Sequence, residues 1–214
     1  MTATAMFGAL SYVCMLLIKI PVSFLTLDLK DAFIVLCSLL FGPLSGAIIA
    51  ILVPFFEMIT VSGTGVYGFI MNVLSSLTFA LVTGFVYRYR KTMTGAIVAL
   101  SSGVFAVTAV MMLANLLITP YYIGGSPADV AALIPKLLLP FNLVKATLNA
   151  AIVLLLYKPL SRILKKIGFL YSSHEDITVP AQGQGSRTRS LLITAVAVLI
   201  IAASFAVIFF VLKK

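Results

Sequence analysis

Two asparagines and a lysine lie close together in an otherwise apolar stretch at 140–149, PFNLVKATLN. Asn142, Lys145 and Asn149 have the spacing i, i+3 and i+7, so a helix places all three side chains on one face. An amide offers a donor and an acceptor, which suits the edge of a pyrimidine-like ring, whereas an ammonium only donates and suits a carbonyl oxygen or an anion. These residue types therefore predict a site for a small polar ligand.

The surroundings of this face indicate a membrane. The segments on either side are the apolar runs LLL and AAIVLLL. An unpaired lysine at the centre of a bilayer costs at least about 2.5–3.5 kcal/mol, so such a residue normally faces a bundle interior or a polar cavity. We therefore predict that Lys145 belongs to a binding site within the membrane.

The composition agrees with that prediction. The 214 residues are 62% hydrophobic and 10% charged, with a mean hydropathy of +1.18, whereas soluble domains are about 45–50% apolar and about 25% charged. The chain is predicted to be an all-α polytopic membrane protein. Its net charge of +9 is interpreted as a topology signal and not as a nucleic-acid footprint, because the basic residues cluster between the apolar segments.

The apolar segments divide the chain into three parts. We predict a six-helix membrane domain at 1–168, a polar linker at 169–189 and a seventh transmembrane helix at 190–214. The predicted spans are residues 4–20, 31–40, 44–60, 66–87, 94–119, 131–157 and 191–212.

The loop charges predict the orientation of the bundle. The segments 88–91 and 158–166 hold seven basic residues, and positive charge accumulates on the cytoplasmic side. The N-terminus is therefore expected in the cytoplasm, and the opposite side is expected to carry the acidic residues Asp28, Asp31, Glu57 and Asp129. The same topology places Asn115 and the start of the sixth helix in the outer half of the membrane, where a ligand would enter from outside.

The segment 21–30, PVSFLTLDLK, is too polar to cross a bilayer and contains alternating leucines, among them Leu27. We interpret it as an extended lid over the cavity, with a plain connecting loop as the alternative. Tyr121, at the end of the fifth span, is a candidate for packing on a flat ligand, although tyrosines at this position also form interfacial belts.

Sequence motifs for catalysis are missing. The chain has no GxxxxGK[ST] loop, no HExxH, no paired-cysteine metal set and no Ser/His/Asp candidate. None of the six acidic residues is predicted at mid-membrane, which weighs against a proton-driven carrier and against an intramembrane enzyme. Cys14 and Cys37 are interpreted as small core residues, and we predict neither a metal nor a cofactor. The remaining prediction is a cleft lined by amides, one lysine and aromatic rings.

Two stretches of the chain, ANLLITPYY at 114–122 and FNLVKATLN at 141–149, resemble a known family. They are similar to the substrate-binding S components of energy-coupling-factor (ECF) vitamin transporters, and most similar to the riboflavin-specific members. The resemblance extends from residue 1 to about 168. It implies that Asn115, Asn142 and Lys145 contact the isoalloxazine ring and that the loop around Leu27 covers the ligand. With Asn149 and Tyr121 these residues form the predicted ligand-binding set.

The resemblance also implies the partners. Ala5 and Ala9 match an AxxxA surface that docks on the membrane coupling subunit, and two separate ATPase subunits supply the energy. The lack of a nucleotide motif agrees with that division, so the chain is not expected to be an enzyme. The seventh helix departs from the six-helix pattern and is left as an anchor, a fused small subunit or a contact for another partner.

Two alternatives remain open at this point. One is an S component for a different heterocyclic vitamin such as thiamin. The other is a membrane scaffold protein, in which Asn142 and Lys145 bind a neighbouring helix and no small molecule.

Overall fold

The computed structural model describes residues 2–61, 63–166 and 184–207. These residues are mostly helical, and a single two-stranded hairpin follows the first helix. The elements in chain order are α1 (Thr2–Leu17), β1 (Lys19–Val22), β2 (Leu25–Asp28), α2 (Lys30–Phe41), α3 (Pro43–Thr60), α4 (Gly65–Tyr89), α5 (Met93–Ile123), α6 (Pro127–Leu133), a π-helical segment (Ile134–Leu138), α7 (Leu139–Lys166) and α8 (Gln184–Val207).

Four helical segments among the described residues are long and apolar enough to cross a bilayer: Pro43–Thr60, Gly65–Tyr89, Met93–Tyr121 and Pro127–Leu164. α1 has 16 residues and α2 has 12, which is shorter than the roughly 20 residues of a typical span. Each predicted span overlaps a helix, because long apolar runs bounded by turns leave few other choices. The first predicted span, 4–20, is too long at its end, since residues 19 and 20 belong to β1.

The predicted lid at 21–30 is part of a β-hairpin. β1 and β2 pair in antiparallel fashion, with Lys19 opposite Asp28 and Val22 opposite Leu25. Ser23 in the turn has a φ of 56°, and two-residue hairpin turns need a positive φ of this kind. The extended loop of the prediction is therefore an ordered hairpin, because the two halves of the segment satisfy each other's backbone groups.

α2 lies in the middle of the bundle and packs against α1, α3, α4 and α7. Its apolar side chains are buried on all sides, with Ile34, Val35 and Leu36 at 0% exposure. A helix that is hydrophobic all round is a buried helix. Because α2 directly follows the hairpin, this central position also fixes where β2 ends.

A π-helical turn joins α6 to α7. The N–H of Leu139 donates to the carbonyl of Ile134, which is the i→i−5 bond of a π-helix. Pro140 follows and has no N–H to donate to the preceding turn. The sequence predicted that Pro135 and Pro140 would interrupt the start of this span, and the interruption takes the form of one wide turn within a continuous helical segment.

α8 packs on α7, and its side chains Ala197 and Ser204 are buried. It begins at Gln184, inside the stretch that the sequence predicted as a polar linker. The rest of that linker, and the C-terminal end of the predicted seventh helix, lie outside the described residues.

Candidate functional site

The predicted polar face of α7 is directed into the protein. Asn142 is 7% exposed, Lys145 9% and Asn149 0%. Lys145 and Asn149 both reach the hairpin, whereas the amide of Asn142 bonds within its own helical segment. The expectation that these groups face a bundle interior is therefore confirmed.

Lys145 forms an ion pair with the hairpin. Its Nζ lies 2.9 Å from Oδ2 of Asp28 and 3.5 Å from the carbonyl oxygen of Thr26. Both acceptors belong to β2, so the lysine joins α7 to this strand. An ammonium carries three donors, and the described residues supply acceptors for two of them.

A second buried lysine extends the cluster towards α3. Lys30 is fully buried, and its Nζ lies 2.5 Å from Oε2 of Glu57 and 3.5 Å from Oδ2 of Asp28. Glu57 also accepts a hydrogen bond from Asn72 on α4 and lies 3.8 Å from the exposed Lys19. Six elements, β1, β2, α2, α3, α4 and α7, thus contribute side chains to one group of charges.

These charges correct the prediction. Asp28, Asp31 and Glu57 were interpreted only as charges that indicate topology, whereas the structure buries them in the bundle, with exposures of 2%, 3% and 5%. Their position on the outer side stays a prediction. The site was expected to hold one lysine, and the structure buries two. Each buried carboxylate finds a partner, since Asp31 accepts from Ser76 and the other two pair with lysines, and this pairing offsets part of the cost of burial.

The burial of these groups bears on one argument made from the sequence. The prediction that no acidic residue lies at mid-membrane weighed against a proton-driven carrier, and three carboxylates lie inside the bundle, at a membrane depth that stays a prediction. The class of transporter must therefore be assigned on other grounds, which the comparisons with known proteins supply below.

The charges of the cluster hold Asp28 in its ionised form. Burial alone would raise the pKa of its carboxyl group, but the ammonium groups of Lys145 and Lys30 outweigh burial and bring the pKa below its ordinary value. Asp28 lies in β2, outside the spanning helices. Its negative charge is therefore a permanent feature of the site near neutral pH.

Asn149 uses its whole side chain in contacts with the protein. Its Oδ1 accepts from the N–H of Ala32 at 2.8 Å, and its Nδ2 donates to the carbonyl oxygens of Asp28 at 3.1 Å and Lys145 at 2.9 Å. The residue thereby fixes the end of β2 and the first turn of α2 against α7. Its assignment to the ligand-binding set remains a prediction, and the observed contacts give it a positioning role.

Asn142 is only partly engaged. Its Nδ2 donates to the carbonyl oxygen of Leu138 at 2.8 Å, which leaves its Oδ1 without a hydrogen bond from the described residues. Because Asn142 precedes Lys145 by three positions, an open acceptor and an incompletely used donor lie next to each other on α7. This pair matches a ligand edge that presents an N–H beside a carbonyl.

Asn115 and Tyr121, two other residues of the predicted ligand-binding set, make their contacts away from Lys145. Asn115 is fully buried, but its Nδ2 donates to the carbonyl of Met111 at 2.6 Å and its Oδ1 accepts from Thr119 at 2.9 Å, all within α5. Tyr121 is 75% exposed, and its ring stacks on Tyr67 at 6.5 Å. The contacts of the described residues do not join either side chain to Lys145.

Leu27 and the two predicted docking alanines lie on different parts of the protein. Leu27 is fully buried in the cluster formed with Phe141 and Leu148 of α7, so the hairpin rests on that helix. Ala5 and Ala9 are exposed on α1, whose buried residues Ala3, Phe7, Ser11 and Met15 face the bundle. The alanines are thus available to another protein or to lipid.

Comparisons with known proteins define the class. Residues 1–157 match the family model of the ECF transporter substrate-specific component, so the chain belongs to this family of transporter subunits and is a multi-pass membrane protein. It is 28% identical over 173 residues to the riboflavin transporter RibU of Staphylococcus aureus (strain TCH60), which covers 76% of this chain and 90% of the relative. The family resemblance seen in the sequence is confirmed.

The fold is similar to a solved structure described as "Structure and mechanism of the S component of a bacterial ECF transporter". The TM-score is 0.65 at 26% identity, over 76% of this chain and 95% of the other. α8 begins after the last residue matched by the family model. It is therefore an addition to the part of the chain that defines the family.

Sequence reasoning missed Asp28 and Lys30 as members of the site. The signal was the run DLKD at 28–31, directly before an apolar helix. Alternating charges at the start of a short, wholly apolar helix indicate that the charges share its burial. From the sequence alone, these charged residues were interpreted only as part of a polar loop.

We predict that Asn149→Ala destabilises the protein more than Asn142→Ala. The first substitution removes the hydrogen bonds that tie the N–H of Ala32 and the carbonyl oxygen of Asp28 to α7, at about 1–3 kcal/mol in all, and leaves the N–H of Ala32 with only its longer contact of 3.3 Å to Leu29. The second substitution removes one bond within a helical segment. Thermal unfolding in detergent without ligand measures both variants. Equal losses of stability would show that the contacts between α7 and the hairpin do not hold the fold.

Proposed function

We propose that this chain is the riboflavin-binding subunit of an ATP-driven ECF importer. The observation that carries the proposal is the adjacent donor and acceptor of Lys145 and Asn142 on the inward face of α7. The relative from Staphylococcus aureus, named as a riboflavin transporter, supports the same ligand. In this proposal the ligand is taken up from the outer half of the membrane and delivered to the cytoplasm.

The chemistry of the flavin ring fits this pair. One edge of the isoalloxazine ring presents an N–H between two carbonyl oxygens. The carbonyl oxygen of Asn142 would accept from the N–H, and the ammonium of Lys145 would donate to a neighbouring carbonyl. Lys145 keeps its contact with Asp28 in this arrangement, because it uses the donor for which the described residues supply no acceptor.

The remaining site residues take supporting parts in the proposal. The β-hairpin with Leu27 covers the ligand, and Asn149 holds that hairpin in place. Asn115 contacts the ring after exchanging its bond with Thr119. Tyr121 lies at the outer rim and contacts the ligand as it enters.

The proposed architecture is a six-helix S-component bundle at 1–168, with α1 and α2 counted as its short first helices, plus an additional C-terminal transmembrane helix. The proposed N-terminus is cytoplasmic, an orientation that the basic ends of α4 and α7 support. The chain binds and releases its ligand and catalyses no reaction. A membrane coupling subunit and two ATPase subunits supply the energy.

Flavin binding tests the proposal directly. Protein purified from cells grown with riboflavin is expected to carry the absorbance of bound flavin, and titration is expected to quench flavin fluorescence. A colourless protein that leaves flavin fluorescence unchanged and binds thiamin would show that the chain is an S component for thiamin and not for riboflavin. Failure to bind either compound would favour a scaffold protein.

We predict that Asn142→Ala lowers riboflavin affinity by roughly 5–150-fold, because one buried hydrogen bond left unmade costs about 1–3 kcal/mol. Lys145→Ala is expected to cost at least as much, since it removes a charged donor. Fluorescence titration of the folded fraction measures both variants.

The double variant of Asn142 and Lys145 tests whether the two side chains act on one ligand edge. In that case the free-energy losses are expected to be non-additive. Losses that simply add contradict the proposed binding mode even if riboflavin is the ligand. A change in protein yield alone, with affinity preserved, identifies a purely structural role for both residues.

We predict that Ala5→Trp combined with Ala9→Trp abolishes uptake while ligand affinity stays near the parental value. Two bulky rings on this exposed face of α1 prevent close approach of a partner helix, and both positions lie opposite the face that packs in the bundle. Uptake in cells and flavin titration of the purified variant separate the two effects.

The matched control places tryptophan at Ala195 and Ala202, two exposed alanines of α8 that lie outside the residues matched by the family model. These substitutions add the same bulk to a membrane-exposed surface. The control is expected to import riboflavin at the parental rate. Uptake at that rate by the α1 variant would reject the docking surface.

A further inference from the structure

We propose that Asp28 is a specificity-determining residue, which restricts the site at Lys145 and Asn142 to ligands that present an uncharged carbonyl and selects against anionic ligands. The inference rests on the proposed function, because it takes the ligand to lie against these two side chains. It concerns a residue that neither the family resemblance nor the sequence pattern assigned to the site.

Asp28 neutralises the only charge on the ligand-facing side of α7 in the described residues. A free ammonium in a buried site binds an anion more strongly than a neutral carbonyl. With Oδ2 of Asp28 at 2.9 Å from its Nζ, Lys145 is a member of a neutral pair. It still has a hydrogen-bond donor to offer, but it offers no net charge.

Asp28 is held so that it cannot withdraw from the ligand. It is 2% exposed, its backbone carbonyl accepts from Asn149 at 3.1 Å, and its Oδ1 accepts from the N–H of Lys30 at 3.4 Å. An anion arriving at Lys145 therefore meets a fixed carboxylate. A neutral carbonyl takes the remaining donor without disturbing these contacts.

The wider cluster adds to the selection. Three buried carboxylates, Asp28, Asp31 and Glu57, face two buried ammonium groups, Lys30 and Lys145. The buried set thus holds one carboxyl group more than it holds ammonium groups, and the exposed Lys19 lies 3.8 Å from Glu57. An anionic ligand gains no attraction from this environment.

The test compares two ligands with the same ring. Riboflavin is uncharged, and riboflavin 5′-phosphate carries an anion on its side chain. For two unit charges roughly 12 Å apart, at an effective dielectric constant of about 20, removal of one charge changes an affinity by about 10-fold. The preference is therefore expected to change by about this factor for each unit of charge on the phosphate. The measured quantity is the ratio of the two Kd values from fluorescence titration.

Asp28→Asn is expected to shift this ratio at least about 10-fold in favour of the phosphate. Asp129→Asn is the control, because it removes an exposed carboxylate that bonds to Ser126, and its ratio is expected to equal that of the parent chain. Asp31→Asn removes a buried carboxylate that bonds to Ser76 and not to Lys145, and a smaller shift is expected.

Several outcomes overturn the inference. A parent chain that binds riboflavin, with a ratio that is unchanged in Asp28→Asn, rejects the inference and leaves the proposed function standing. A shift of equal size in Asp31→Asn also rejects the inference, because the loss of any buried carboxylate would then change the ratio and Asp28 would have no special role. A parent chain that binds neither flavin overturns the proposed function and this inference with it.

A second variant keeps the test decisive if Asp28→Asn does not fold. Asp28→Ser also removes the carboxylate, and its hydroxyl keeps a hydrogen-bond acceptor near the ammonium of Lys145. The ratio is expected to shift in the same direction as for Asp28→Asn. A ratio equal to that of the parent chain contradicts the role of Asp28.

Discussion

The ion pair between Asp28 and Lys145 is the interaction on which the site depends, because a membrane bundle offers no water to solvate a buried ammonium. Because Lys145 points inward from α7, its ammonium needs a carboxylate as partner, and Asp28 of the hairpin supplies it. Lys30 of α2 and Glu57 of α3 form a second buried ion pair next to the first. The placement of the hairpin against α7 and α3 follows from the need to pair these charges.

Buried ion pairs of this kind contribute little net stability, because desolvation consumes most of the Coulomb attraction. In this protein they fix the position of the hairpin against α7 and α3, and in the proposed binding mode they also select the charge of the ligand. Asn149 and Asp28 are fully engaged with the protein and form the fixed part of the site. Among the described residues, the Oδ1 atom of Asn142 and one donor of Lys145 have no hydrogen-bond partner. In the proposed binding mode these two groups determine what a ligand must offer, and the fixed residues support them.

The helices and their family could be predicted from the sequence because both signals are local. Apolar length sets each span, and FNLVKATLN carries the resemblance within a few residues. The charge cluster could not be predicted in this way, since Lys145 and Asp28 are 117 positions apart. Nothing local shows that the amide of Asn149 serves the backbone of α2 and not a ligand. The run DLKD before α2 indicates that its charges are buried, but it does not show which side chains pair with them.

The π-helical turn at Ile134–Leu138 has a consequence for how this chain can change over evolutionary time. Such a turn encloses one residue more than an α-helical turn, and each residue of a helix advances the side-chain direction by about 100°. Loss of a single codon in this segment would therefore rotate Asn142, Lys145 and Asn149 together, away from the hairpin. The polar face of α7 is thus set by an insertion upstream of it, and relatives that differ in length at this point would present a different surface to their ligand.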